Sequence, residues 1–190
     1  MKYIIQNVKA LYPRLTETYR FDNRENKSVR ADALVEGAHY SVQFEIDAEQ
    51  DALLTDRVYE VWAAAVKEDE ESNKPKGWPE TPKYVPVKDI DGKRVGKTSL
   101  KGAYNGEATK APVHVDAKRN YLGEGYKLGH GSIVNLAVTI VAFNTGNVNG
   151  ISLRLGGVQV VSPKELSNPF GEVEGFDSRA AAAGLDEIPF

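Results

Sequence analysis

A chain of 190 residues, 41% apolar and 27% charged, is long enough for one domain with a real core plus a tail, and too short for two compact domains. No run of about 18 apolar residues is present to span a bilayer, and the opening Met1-Lys2-Tyr3-Ile4-Ile5-Gln6 lacks the apolar stretch of a secretory signal, so the expectation is a cytoplasmic protein without membrane contact. The absence of cysteine excludes disulfides, a thiolate nucleophile and cysteine-held zinc, and the net charge of −3 is small but unevenly spread.

Tyr3 to Leu15 predicts a long strand that breaks at Pro13, with Val8 and Ala10 inward and Asn7 and Lys9 toward water. Residues Thr16 to Arg30 predict a polar loop or extended arm with Asp22-Asn23 as a turn. Tyr19, Arg20, Phe21 and Arg24 lie in it; such rings and arginines either pin a loop to the body or offer faces to bases. Tyr40 to Ile46 alternates apolar with polar residues, the period of a half-buried strand. Asp47 with Gln50 three residues on is a capping-box arrangement. Leu54, Val58, Val61, Trp62 and Ala65 then mark one face of a helix to about Lys67 that plugs the sheet, with Trp62 in the core. Glu68 to Glu71 is read as a solvated acidic run.

Between Lys74 and Asn120 the chain reads as strand-poor and rich in turns. Asp91-Gly92 predicts a hairpin turn between Val87-Lys88 and Val95, which accounts for Asp89 and Asp91 without a metal. Thr98 to Asn105 and Pro112 to Asp116 predict short strands on either side of residues 106–111. Lys101, Tyr104 and Lys110 supply the mix of cation and ring that a single-strand groove uses. Gly123, Gly125, Gly129 and Gly131 lack dinucleotide-fingerprint spacing and suit tight turns or a close backbone approach. His39, His114 and His130 share no metal-ligand spacing. Ser132 to Phe143 predicts a buried strand, residues 144–150 a turn, and Ile151 to Val161 a return strand whose Gly156-Gly157 suits a bulge at a barrel bend.

Charge divides along the chain. From Lys74 to Lys127 twelve bases face six acids. From Ser162 to Phe190 the six acids Glu165, Glu172, Glu174, Asp177, Asp186 and Glu187 face only Lys164 and Arg179, which leaves the tail at −4 and the rest at +1. A basic middle and an acidic end can find each other. The last residues, Asp186, Glu187, Ile188, Pro189 and Phe190, set two carboxylates before a proline-stiffened apolar tip, chemistry suited to a greasy pocket rimmed by Arg or Lys.

Five or so strands, one inserted helix, a curled Gly-bearing hairpin and long loops predict a mainly β fold: a closed or partly open five-stranded oligonucleotide-binding (OB) barrel over 1–161, with a disordered or weakly ordered acidic tail over 162–190. Gly131-Ser132 before an apolar strand, then Asn149-Gly150-Ile151-Ser152-Leu153 and Gly157-Val158-Gln159-Val160-Val161, resemble the closing hairpin of single-stranded DNA-binding proteins of tailed phages. The tip resembles the acidic tail of bacterial single-stranded DNA-binding proteins, with its acidic run shortened to Asp186-Glu187. The resemblance implies an OB fold, sequence-tolerant binding of single-stranded DNA, and a tail that contacts replication or recombination proteins.

The expected function is therefore a non-catalytic protein that coats single-stranded DNA during phage replication, recombination or repair, in the host cytoplasm, with no cofactor and no metal. Charge and aromaticity assign Lys97, Lys101, Lys110, Arg119, Lys127 and Arg154 to phosphates, and Trp78, Tyr84, Tyr104, Tyr121 and Tyr126 to bases. The tip recruits partners and competes with DNA for the basic surface. Homo-oligomerisation stays open. Two rivals belong to other classes: a protein-interaction adaptor with an OB-like barrel, and a nuclease built on Asp89 and Asp91.

Overall fold

The computed structural model describes residues 1–164, so the tip residues 186–190 and all but the first three residues of the expected tail lie outside the described part. The first barrel strand, β1 (Lys2–Asp22), is longer than the expected Tyr3–Leu15 segment. It runs on through Pro13 because the ladder slips there, between Leu11 and Arg14, and a bulge needs no N–H from the proline. A second slip lies between Ile5 and Val8, where Asn7 takes a φ of 51°. These irregularities bend one strand around the barrel.

Of the two alternatives expected for residues 16–30, a loop or an extended arm, the structure forms the arm. The end of β1 pairs with β2 (Lys27–Arg30) from Tyr19↔Arg30 to Asp22↔Lys27, forming a two-stranded arm. Thr16, Thr18, Tyr19 and Phe21 are strand formers, but the charged residues among them hide the pattern. β3 (His39–Glu45) matches its expected strand, burying Tyr40, Val42 and Phe44. Asp47 then caps α1 (Ala48–Glu70), accepting from the Gln50 N–H at 2.8 Å.

The helix buries Leu54, Val58 and Trp62 of the predicted stripe against the barrel core of Ile5, Phe44, Leu136, Ile140 and Leu155. Trp62 is core, as expected, and its indole N–H donates to the carbonyls of Pro79 and Glu80 at 3.1 and 3.2 Å. The acidic run at the helix end is more than solvated. Asp69 accepts from the N–H groups of Lys76 and Gly77 at 2.7 and 2.9 Å, and these bonds, led by that of Lys76, hold its carboxyl below the usual range.

The middle of the chain is richer in strands than its composition indicates. β4 (Val87–Ile90) and β5 (Lys93–Lys101) form the hairpin expected at Asp91-Gly92, whose φ values of 52° and 76° meet the demand of a type I′ turn. β5 starts five residues before the predicted Thr98. Its inward positions are Gly96 and Thr98, so no apolar alternation marks it; a methyl at Gly96 would overlap the Phe44 ring, and the buried Thr98 hydroxyl donates to the Leu153 carbonyl at 3.0 Å. A small hairpin, β6 (Ala103–Tyr104) with β7 (Glu107–Ala108), and β8 (Val113–Val115) follow. β9 (Ile133–Asn144) and β10 (Asn149–Ser162) form the closing hairpin, and its register slips at Gly156, where the bulge was expected.

The barrel strands run in the order β5-β3-β1-β9-β10, and a parallel contact at Arg154↔Ser99 closes β10 onto β5. The result is an OB-type closed barrel of five strands, with β4 flanking β5 and β8 flanking β10. The helix lies between the second and third barrel strands.

Candidate nucleic-acid interface

The outward side chains of β5 alternate with its buried Gly96 and Thr98, so Lys97, Ser99 and Lys101 share one face. Register sets Gln43, Ser41 and His39 of β3 beside them, and Arg154 of β10 beside Ser99. Lys97 and Ser99 form the floor common to two clefts. One, about 420 Å³, is walled by residues 85–90, including Lys88, and by Ser152; the other, about 490 Å³, lies between Lys101 and residues 33–39. Together they make a groove on the face of the second and third barrel strands, where OB folds bind oligonucleotides.

Rings stand at both ends. Tyr104 lies under the Arg154 guanidinium at 5.4 Å and the Lys101 ammonium at 5.8 Å, and Tyr84 lies 5.6 Å from Lys83 Nζ and 5.9 Å from Lys88 Nζ. The Tyr84 backbone docks on the start of β10, accepting from the Ile151 N–H at 2.8 Å, and only a residue without a side chain fits opposite it at Gly150. The Thr109 N–H donates to the Gly102 carbonyl at 2.7 Å, which brings Lys110 next to the same end as Tyr104. Charge is uneven too. Among the described residues Lys9 and Lys93 share Glu45 and Arg94 holds Asp51, whereas Lys88, Lys97, Lys101, Lys110 and Arg154 enter no ion pair. An unpaired cationic strip with rings at its ends can hold phosphates and stack bases.

A family model of the Enterobacter phage Enc34 single-stranded DNA-binding protein matches residues 1–183. The chain belongs to this Enc34 phage family. The solved single-stranded DNA-binding protein gp2.5 of bacteriophage T7 shares the fold at 21% identity and a TM-score of 0.61, over 92% of this chain and 98% of that one. The Enc34 protein in complex with single-stranded DNA is 15% identical, with a TM-score of 0.58 over 86% and 88% of the two chains. No curated protein sequence matches the chain.

Of the site residues expected from sequence in this Enc34 family member, the fold brings Lys97, Lys101 and Arg154 to the groove with Tyr84 and Tyr104 at its ends, while Lys110 follows the β6–β7 hairpin without lining either cleft. Trp78 is half-buried against Trp62, ring centroids 4.9 Å apart, and Tyr126 packs on the core near His114 at 6.1 Å. Arg119 and Tyr121 sit after β8 on a loop that Gln159 holds through the Asp116 and Ala117 carbonyls; five residues of β10, about 17 Å, separate Gln159 from Arg154. Lys127 lies beside Arg14 and Tyr19. Lys83, Lys88, Gln43 and Ser152 were missed, although Lys83 and Lys88 flank Tyr84 in the sequence.

Asp89 and Asp91 belong to the hairpin turn, where Asp89 accepts from the Gly92 N–H at 3.1 Å. Among the described residues no three His, Asp or Glu side chains converge as metal ligands.

Proposed function

We propose that this chain is a non-catalytic protein that binds single-stranded DNA with little regard to sequence and serves phage DNA replication, recombination or repair. The observation that carries the reading is the strip of unpaired cations and terminal rings along β5 and β10, in a member of a family described as single-stranded DNA-binding. Lys88, Lys97, Lys101 and Arg154 hold phosphates, and Tyr84 and Tyr104 take bases, each stack contributing about 1–3 kcal/mol. The solved Enc34 relative bound to single-stranded DNA supports the choice of ligand. Domain 1–161 binds DNA, while the acidic segment 162–190 contacts partner proteins through Asp186 to Phe190 and competes with DNA for the groove.

Titration with oligo-dT and with duplex DNA at several salt concentrations tests this reading. Four phosphate contacts give a slope of log K against log[salt] near about −3, from roughly −0.7 per phosphate on a single strand. Exchanging Lys97 and Lys101 together for Gln brings the slope about halfway to zero. Salt-independent binding, or equal affinity for duplex, overturns it.

A further inference from the structure

The bulge in β1 gathers rings and cations that the β5 groove does not use. Between the pairs Leu11↔Gln43 and Arg14↔Ser41, Tyr12 and Pro13 together oppose the single residue Val42, and Tyr12 takes a φ of 47°. Bulges re-aim side chains, and this one leaves the Tyr12 ring 64% exposed, tilted against His130 with centroids 4.8 Å apart. The Tyr12 N–H donates to His130 Nδ1 at 3.2 Å, so the pair is held by backbone as well as by ring contact. Next to it the Arg14 guanidinium lies 4.8 Å from the Tyr19 ring, and Arg14, Tyr19 and Lys127 line a cleft of about 250 Å³. The one carboxylate among the described residues lining that cleft, Glu17, is engaged by Arg30 at 3.0 Å. Among the described residues Arg14 and Lys127 pair with no carboxylate.

Register connects this cluster to the groove. Arg14 pairs with Ser41, Ser41 with Ser99, and Ser99 with Arg154, so the two arginines lie on one rung, three inter-strand steps or about 14 Å apart. Tyr19, His39 and Lys101 form a neighbouring rung. A strand that leaves the β5 groove across β3 arrives at Arg14.

We propose that Tyr12, His130, Arg14 and Lys127 form a second nucleotide subsite for the same single strand. The exposed Tyr12 ring, propped by His130, stacks a base; Arg14, beside the Tyr19 ring, and Lys127 take the flanking phosphates. This rests on the reading of the β5 groove as a single-stranded DNA site, and it makes the bound length greater than that groove alone.

Oligo-dT of increasing length, titrated at low salt, tests it. With the natural sequence, affinity climbs to one plateau when the groove is filled and climbs again when the strand reaches β1. Tyr12→Ala, and separately the pair Arg14→Gln with Lys127→Gln, remove the second climb, a loss of at least about fivefold, the value of one stack. Short strands bind these variants as before, and Tyr12→Phe keeps both plateaus. Lys97→Gln with Lys101→Gln weakens every length. If the bulge variants keep the second climb while the Lys97 and Lys101 variant weakens all lengths, the subsite is overturned and the groove reading stands. If the Lys97 and Lys101 variant binds every length normally, the groove reading itself fails. Should Tyr12→Ala not fold, the Arg14 and Lys127 pair, exchanged for uncharged side chains of similar size, decides.

Discussion

Thr98 and His114 are both buried polar side chains, and the difference between them sets a response to pH. The Thr98 hydroxyl has the Leu153 carbonyl, whereas His114 Nε2 has no partner among the described residues. Burial pushes the His114 pKa below its ordinary 6.5, because the charged ring loses water and gains nothing in return. Below about pH 6.5 the unfolded chain takes up a proton that the folded one refuses, so stability falls as pH drops through that value. Denaturant unfolding between about pH 7.5 and 5 should show this fall, and His114→Leu should flatten it; an unchanged slope counts against the assignment. Asp69 and Asp116 act in a lower window. Their carboxyls sit below the usual range, Asp69 first through the Lys76 N–H and Asp116 first through the Asn120 side chain, so their contribution is present above about pH 4 and is lost as pH falls further.

Single elements differ in how openly the chain declares them. α1 was legible to its cap, because Asp47, Gln50 and the stripe of Leu54, Val58 and Trp62 state start, period and buried face together. Asp47→Ala removes the bond to the Gln50 N–H and should cost about 1 kcal/mol, read as a lower urea midpoint with an unchanged m value. β5 was half-hidden. Its inward positions are Gly96 and Thr98, one chosen so that the Phe44 ring can occupy the space and the other for its carbonyl partner, and neither carries an apolar signal. The arm of β1 and β2 was legible only as one of two alternatives, loop or extended arm: its pairing is between neighbouring strands with little core beneath Arg20 and Phe21, both exposed, so its strands carry no burial pattern that decides between them.

For the whole molecule, the barrel turns scattered cations into one field. Lys97 and Arg154 are 57 positions apart in the chain, yet Arg154 pairs with Ser99 on the closing seam. On the proposed function, the acidic segment that follows the barrel is a tethered competitor present at an effective concentration on the order of millimolar. Deleting Leu185 to Phe190 should therefore tighten oligo-dT binding at low salt, with the gain fading as salt rises, and should abolish capture of partner proteins. Equal or weaker DNA affinity at low salt speaks against the competition.

The amino-acid sequence alone determined the mainly β barrel, the capped helix, the closing hairpin with its Gly156 bulge, and the basic middle set against an acidic end, because periodicity, capping and charge are local properties. Which cations share a surface was decided only by tertiary structure. Register between β3, β5 and β10 and the seam that closes the barrel gather Lys97, Lys101 and Arg154, send Arg119 and Tyr121 along β10 to another region, and turn Trp78 onto Trp62. Strand pairing is a long-range choice, made by the side chains that fill the core, and it is the core that chooses which outward residues become neighbours.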